Sequence, residues 1–306
     1  MSAKDIVDTV LRLLGILISW PVILLCVIIM VRREFPELVS NLAQRMTKAP
    51  GGFEFAALQQ KVDSIATTVK QIEEQLQFRP SAALTPDLQK KMESAFSSFR
   101  GYLQQLGLTL GEGRIEVAIQ PNYENAHYDG IQKLIVIGES LAGDTDVAFR
   151  EYMHHALMSL AKETHDNWSR SYDEIESGLA DYFPCSFNND PLVGEIFARR
   201  KYGKAYIRNL NNRRKFTEAS ASQPFTGPQD IGEIWGGAFW DMRTQLGKSA
   251  ADKLLFSTWG DLLPTDTRSD EPTRFVRKLV QHAQSSQGEP AAEQIRSIFK
   301  SRGLEI

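Results

Sequence analysis

The sequence predicts an α+β protein, mostly helical, whose globular part follows a transmembrane helix and a short coiled coil. Three observations support this prediction. A stretch of 19 residues carries no charge, six apolar residues then repeat at heptad spacing, and the remaining chain shows helical periodicity around two short strand patterns. The chain accordingly divides into an N-terminal tail (1–12), a membrane span (13–31), a juxtamembrane linker (32–52), a coiled coil (53–79) and a globular domain (81–306).

The composition excludes several classes of protein. With 42% hydrophobic and 24% charged residues, the 306-residue chain has the balance of a folded protein rather than of a disordered or collagen-like one. Two cysteines are too few for a disulfide framework. The formal net charge of −3 does not indicate binding to nucleic acid, and we expect no nucleic-acid partner.

Residues 13–31 predict a helix that crosses the membrane. A helix of this length spans about 28 Å, close to the roughly 30 Å hydrocarbon core of a bilayer. A core helix of a soluble protein rarely lacks a polar face over such a length. Asp5 and Asp8 ahead of the span are not typical of a cleaved signal peptide. The lipid bilayer is therefore the first expected partner.

The basic residues near the span predict its orientation. Two precede it and four follow it closely, which by the positive-inside rule favours a single-pass protein with a cytoplasmic C-terminal domain. The unpaired Cys185 agrees with a reducing compartment, whereas the glycosylation triplet at 167–169 favours the opposite side. The basic residues are Lys4, Arg12, Arg32, Arg33, Arg45 and Lys48.

A heptad pattern precedes the globular domain. Its apolar residues are spaced alternately four and three apart, which is typical of a coiled coil and predicts self-association. The alternative is a single amphipathic helix that packs on the following domain. Pro80 ends the predicted helix. The a positions are Val62, Val69 and Leu76, and the d positions are Leu58, Ile65 and Ile72.

The globular domain is predicted to open with a helix and two strands. Thr85 before Pro86 combines an N-cap residue with a proline at the first helical position, so a helix begins here. Residues 115–119 and 133–137 carry strand patterns, and the turn residues 128–130 lie between them. These strands predict a small sheet near the start of the domain.

The rest of the domain is predicted to be helical. Asp144 or Asp146 can cap a helix that runs to about Ala161. Further helices are predicted at 172–183, 232–247, 250–256, 272–283 and 290–302. A small sheet followed by a run of helices indicates an α+β domain.

Several ordered motifs resemble a known family. The motif FREYMHHAL at 149–157 opens a helix, GLADYF at 178–183 lies about one helical hairpin downstream, and GEIWGGAFWDMR at 232–243 comes later. IFKSRGL at 298–304 closes the chain. Together these motifs resemble the gluzincin, or thermolysin-like, zinc metallopeptidases over roughly residues 110 to 304. The resemblance implies a gluzincin-like fold and a cleft built around one zinc ion.

The chemistry of that family sets the role expected at each matching position. Two histidines four residues apart on a helix bind the zinc ion, and a glutamate beside the first histidine acts as the general base. The first histidine position is Arg150 in this chain, the base position is Glu151 and the second histidine position is His154. The first of the two histidine ligands is therefore replaced.

The second helix of the family motif supplies a glutamate ligand and an aspartate that orients the first histidine. The ligand position is Ser177 in this chain, with Glu176 one place early and about 100° around the helix, and the aspartate is Asp181. Because no histidine is left for Asp181 to hold, we expect it to pair with Arg150 as a structural tie that replaces the metal.

These replacements predict a pseudopeptidase for which no cofactor is expected. Arginine stays protonated and offers only donors, so it cannot bind zinc, and a catalytic zinc site needs three protein ligands. The expected function is that of a membrane-anchored, oligomeric scaffold or regulatory protein that binds a protein or peptide partner.

Two alternatives stay open. In one, the chain is an active membrane zinc peptidase in which His154 and a recruited Glu176 or His155 bind the metal, and Glu151 takes a proton from the attacking water. In the other, it is a structural coiled-coil membrane protein whose globular domain acts as a spacer.

A basic stretch lies between Glu195 and Glu218 and contains no acidic residue. Such a stretch can contact anionic lipid or an acidic partner. A solvated loop around residues 208–211 is the simpler expectation, because aromatic residues are sparse in the stretch. Its basic residues are Arg199, Arg200, Lys201, Lys204, Arg208, Arg213, Arg214 and Lys215.

Overall fold

The residues that the computed structural model describes all lie within the unit Ile72–Ile306. In the ranges that it describes, no helix is both long and apolar enough to cross a membrane. The predicted span (13–31), the linker and the heptad positions before residue 76 lie outside these ranges. The described residues are 76–108, 115–161, 170–216, 228–262 and 271–306.

A four-stranded sheet lies near the start of this unit, with strand order β1-β2-β4-β3. Both β1 and β4 pair parallel with β2, whereas β3 pairs antiparallel with β4 at the edge. The predicted strands at 115–119 and 133–137 are confirmed as β2 and β4. The strands are β1 (Leu76–Phe78), β2 (Ile115–Gln120), β3 (Ala126–Asp129) and β4 (Leu134–Gly138).

Strand β1 corrects the C-terminal end of the predicted coiled coil. Leu76 pairs with Ile115 in the parallel register of β1 and β2, so this heptad position lies in a strand and not in a helix. Leu76 is half-buried and packs against the core. The sheet supplies backbone partners that the heptad pattern does not reveal. The globular unit therefore begins before the predicted boundary at residue 81.

The first helix, α1 (Pro86–Gln105), begins where the sequence predicts it. The Thr85 hydroxyl accepts a hydrogen bond from the Leu88 amide at 3.2 Å, which satisfies one of the free N–H groups of the first turn. Phe99 on this helix stacks on Phe149, with ring centroids 4.4 Å apart. This contact packs α1 against the helix that carries the first motif.

The predicted run of helices is confirmed. The helix after Asp144 spans Thr145–Ala161 as predicted, and the five other predicted helices each extend beyond their range on at least one side. The third helix continues past Pro184, because the following Cys185 and Ser186 are fully buried and tertiary packing holds that turn. The helices are α2 (Thr145–Ala161), α3 (Arg170–Asn188), α4 (Glu195–Tyr202), α5 (Pro228–Leu246), α6 (Lys248–Gly260), α7 (Glu271–Gln287) and α8 (Glu289–Ser301).

The basic stretch is more ordered than expected. It contains the short helix α4 and part of a two-stranded sheet, in which β5 (Leu192–Val193) pairs with β6 (Arg208–Asn209). The expectation of a solvated loop around residues 208–211 is wrong, because β6 lies there and Leu210 is buried. Phe197 and Ala198 in α4 are buried, which gives the short helix an anchoring face.

Helices α3 and α5 approach each other closely at glycines. A Cβ atom at Gly178 would lie 2.4 Å from Trp235 Cβ and 3.0 Å from the Gly232 carbonyl oxygen. A Cβ atom at Gly232 would lie 2.7 Å from Ser177 Oγ. Only glycine lets the backbones of α3 and α5 approach this closely. Gly178 and Gly232 therefore determine where the face of α3 that carries Ser177 lies.

Candidate functional site

Helices α2 and α3 pack against each other and present polar side chains to their shared interface. Residues four apart on a helix lie on the same face, which accounts for the alignment of Arg150 with His154 and of Ser177 with Asp181. The structure brings together all six predicted site residues: Arg150, Glu151 and His154 from α2, and Glu176, Ser177 and Asp181 from α3.

Arg150 forms the centre of this cluster. Its Nε donates to Asp181 Oδ1 at 2.8 Å, one terminal nitrogen donates to Glu151 Oε1 at 3.1 Å, and the other donates to Ser177 Oγ at 3.3 Å. The side chain of Asp181 is 0% exposed and that of Arg150 is 14% exposed. The guanidinium group therefore links side chains of both helices.

A second arginine reaches the same carboxylate. Arg208, at the start of β6, donates from Nη2 to Asp181 Oδ1 at 3.0 Å, and its Nε lies 2.7 Å from Asp181 Oδ2. Sequence reasoning missed this contact. Arg208 was visible only as one member of a basic stretch, and nothing in the pattern connects it with a residue 27 positions away.

His154 pairs with Glu176 instead of standing alone. Its Nδ1 lies 2.6 Å from Glu176 Oε1, and both side chains are largely buried. Glu176 therefore reaches His154 directly across the interface of α2 and α3. His154 lies one turn beyond Arg150 on α2, and it therefore faces a different position on α3, which a long glutamate side chain can reach.

His155 lies in a different environment. It is buried, and its Nδ1 is 2.9 Å from the hydroxyl of Tyr128 on β3. Burial, with smaller effects from Lys133 and Arg100, lowers the pKa of His155 to about 4, so the imidazole is neutral at physiological pH. The structure does not bring His155 into the Arg150 cluster, and it provides no support for His155 as a recruited metal ligand.

The charges around Arg150 keep it cationic. Burial lowers the pKa of the guanidinium, but the opposing effects of Asp181 and Glu151 are together larger and raise that pKa above its ordinary value. Arg150 thus pairs with Asp181 and Glu151, and Arg208 pairs with Asp181. Glu176 lies near enough to Arg150 to help raise its pKa. The cluster is an ion-pair network held between two helices and a short strand.

The residues of this cluster do not fit a catalytic zinc site. Such a site needs three ligands that can donate an electron pair to the metal, and the guanidinium of Arg150 at the centre of the cluster is positively charged and offers only donors. Ser177 Oγ accepts a hydrogen bond from that guanidinium. Within the described ranges, no three His, Cys, Asp or Glu side chains are grouped to hold a metal ion.

Comparison with known proteins addresses the fold. A solved structure of the precursor of protealysin, a metalloproteinase from Serratia proteamaculans, superposes with a TM-score of 0.58 at 15% sequence identity, covering 75% of this chain and 85% of that chain. No family model matches the sequence, and no curated protein matches it. At this identity the likeness shows the fold alone, and the prediction of a gluzincin-like, mostly helical α+β domain is confirmed at that level.

Proposed function

We propose that this protein is a membrane-anchored pseudopeptidase, in which a metallopeptidase-like domain binds a protein or peptide partner without hydrolysing it. One observation carries the proposal. Where the resembled family has its first zinc-binding histidine, Arg150 donates to Asp181, Glu151 and Ser177 at the same time. The residues around the former metal position are hydrogen-bonded to one another.

Energetics favour retention of this ion-pair network. For a metal ion to bind, Arg150 would have to leave Asp181, whose side chain is 0% exposed. Because Asp181 would keep Arg208 as a partner, separating it from Arg150 costs about 2 kcal/mol. Glu151, at the general-base position, accepts a hydrogen bond from Arg150 and acts here as an ion-pair partner.

The proposed setting of the domain comes from the sequence. Residues 13–31 would anchor the chain in the bilayer with the domain in the cytoplasm, and the heptad residues before β1 would allow it to self-associate. A binding domain held in this way would act as a scaffold or a regulatory subunit near the membrane.

One contact favours a second candidate function, that of an active zinc peptidase with an altered ligand set. The His154–Glu176 pair brings an imidazole and a carboxylate within 2.6 Å of each other. In this alternative these two residues would hold the metal and Glu151 would supply the general base. We consider it weaker, because the charge of Arg150 lies against the same site.

Metal analysis of the full-length protein separates the two functions. We expect protein purified in nanodiscs from zinc-supplemented cells to contain substoichiometric zinc and to leave a casein substrate intact. The matched control is His154→Ala, which should give the same zinc content as the parent. Stoichiometric zinc in the parent that is lost in His154→Ala would overturn the pseudopeptidase proposal.

A further inference from the structure

A continuous exposed segment lies at the end of α4 and in the turn that follows. All of its residues are exposed. Four carry positive charge, two are tyrosines and none is acidic. This basic segment consists of Arg199, Arg200, Lys201, Tyr202, Gly203, Lys204, Ala205 and Tyr206.

The fold holds the basic segment in a defined shape. Gly203 takes a left-handed conformation, with φ of 63°, and ends α4, so the chain turns back after Tyr202. Lys201 Nζ donates to the Glu124 carbonyl oxygen at 3.3 Å, and Arg200 donates to the Ser140 carbonyl oxygen. These contacts fix the segment against the loops on either side of the β3–β4 hairpin.

The contacts leave the positive charge of the segment uncompensated. Both acceptors just described are neutral carbonyl groups. In the part of the chain that the structure describes, none of the four cations forms an ion pair with a carboxylate. Glu124 and Glu139 are exposed in the neighbouring loops and also form no ion pair with the segment. The segment is thus free to attract an anionic surface.

The tyrosines give the segment an apolar component. Tyr202 is 54% exposed and Tyr206 is 38% exposed, although large hydrophobic side chains in the described ranges are mostly buried. The Tyr202 ring packs edge-on against Phe197, with centroids 5.7 Å apart, which orients it at the surface. Tyrosine suits the boundary between lipid and water, because its ring is apolar and its hydroxyl is polar.

We propose that the basic segment docks the domain onto the anionic lipid headgroups of the membrane that anchors the chain. The inference rests on the membrane attachment contained in the proposed function. The positive charge alone would also suit an acidic protein. The two exposed tyrosines and the proposed anchor, which keeps a bilayer within reach, favour lipid headgroups as the partner. Because the anchor makes the contact intramolecular, a weak surface is sufficient. Each cation near an anionic leaflet contributes about fivefold in binding.

The test uses the full-length protein in two kinds of nanodisc. One contains neutral phosphatidylcholine alone, and the other contains about 30% phosphatidylserine, which gives roughly the charge of a cytoplasmic leaflet. Acetylation rates of Lys201 and Lys204 are measured by mass spectrometry. Lys90 and Lys91, which are exposed on α1, serve as internal references. We expect slower labelling of the segment relative to the references only with phosphatidylserine, and loss of the difference at high salt.

Two variants test whether the segment itself makes the contact. Arg199→Glu removes one positive charge and adds a negative one while keeping both labelled lysines. The affinity of the segment for the anionic bilayer should fall about 25-fold, and the protection of the lysines should fall with it. Lys300→Glu, an equal charge change at an exposed position of α8, should leave the protection intact. Tyr206→Ser should weaken the protection, whereas Ile131→Ser, at the exposed hairpin turn, should not.

The outcomes distinguish this inference from the proposed anchor. Equal labelling in both lipids, with the chain still floating on neutral vesicles, would overturn the docking surface and leave the anchor in place. Flotation only with anionic vesicles would overturn the anchor and support the surface. Protection of the segment by poly-glutamate but not by phosphatidylserine would overturn the lipid proposal in favour of an acidic protein.

Discussion

The Nε atom of Arg150 lies 2.8 Å from Oδ1 of Asp181, a carboxylate with no exposed side-chain surface. The two residues are 31 positions apart, on adjacent helices. The two side chains form an ion pair that links α2 to α3.

Replacement of Arg150 should destabilise the domain. Arg150→Ala leaves Asp181 buried with one remaining arginine, so we expect a loss of about 2 kcal/mol. The melting temperature should fall by roughly 4 to 8 °C, at 2–4 °C per kcal/mol for a domain of this size. The control Arg199→Ala, at an exposed position, should change stability by less than about 0.5 kcal/mol. An unchanged melting temperature for Arg150→Ala would contradict a structural role for the pair.

The carboxylate between the two arginines should matter more than either cation. Asp181→Asn removes the charge with which Arg150 and Arg208 both pair and leaves Arg150 with Glu151, and we expect a cost of about 3 kcal/mol or more in urea unfolding. Adding Arg150→Ala to Asp181→Asn should cost less than the sum of the single changes, because Arg150 has already lost its ion pair with Asp181. Additive costs would show that the two residues do not interact energetically.

Restoration of the family's ligand set should create metal binding. The double variant Arg150→His/Ser177→Glu supplies a histidine and a glutamate beside the existing His154, which completes three ligands. We expect zinc near one equivalent by elemental analysis, and a rise in melting temperature when zinc is added. Ser177→Glu alone, which keeps the guanidinium in place, is the control and should bind no zinc. A double variant that folds without binding zinc would argue against the assigned positions.

Because α3 and α5 approach each other closely, substitution of Gly178 should destabilise the domain. Gly178→Ala places a Cβ atom 2.4 Å from Trp235 Cβ, and such overpacking costs about 1–3 kcal/mol. The matched control is Gly101→Ala on α1, where a Cβ atom meets nothing within 4 Å. That change should stabilise the helix by about 0.5–1 kcal/mol. Equal effects of the two substitutions, measured by urea unfolding, would contradict the tight interface.

His155 should make stability depend on pH. Its pKa is lowered to about 4 by burial, below an ordinary value near 6.5, so the unfolded chain binds the proton more readily than the folded one. The stabilising effect of the neutral form is complete above about pH 6.5 and is lost as the pH falls towards 4. The maximum change is about 3 kcal/mol at 1.36 kcal/mol per pKa unit.

The pH dependence must be read as a difference between variants, because Asp146 acts in the opposite direction. Burial, with a further effect from Asp144, raises the pKa of Asp146 to about 6. The folded protein therefore loses the stabilising contribution of protonated Asp146 as the pH rises from about 4 to 6. We expect the stability of the parent minus that of His155→Gln to fall between pH 6.5 and 4. A constant difference over this range would contradict the lowered pKa of His155.

Local signals in the sequence accounted for much of the fold. Thr85 before Pro86 located the start of α1, strand patterns located β2 and β4, and helical periodicity located most of the helices. These features depend on neighbouring residues, such as a cap three positions away or an apolar face repeated every turn. They are therefore readable without tertiary information. The same patterns missed β3, a short strand of four residues at the sheet edge.

The sequence by itself determined which residues the motifs carry, including Arg150 and Ser177 at positions where the resemblance implies a histidine and a glutamate. Only the tertiary structure decided which of them meet. In the folded chain Arg208 contacts Asp181 and Glu176 contacts His154. Leu76 lies in a strand and not in the helix that the heptad pattern predicts. Contacts between residues far apart in the chain depend on how elements pack, and no local spacing encodes that packing.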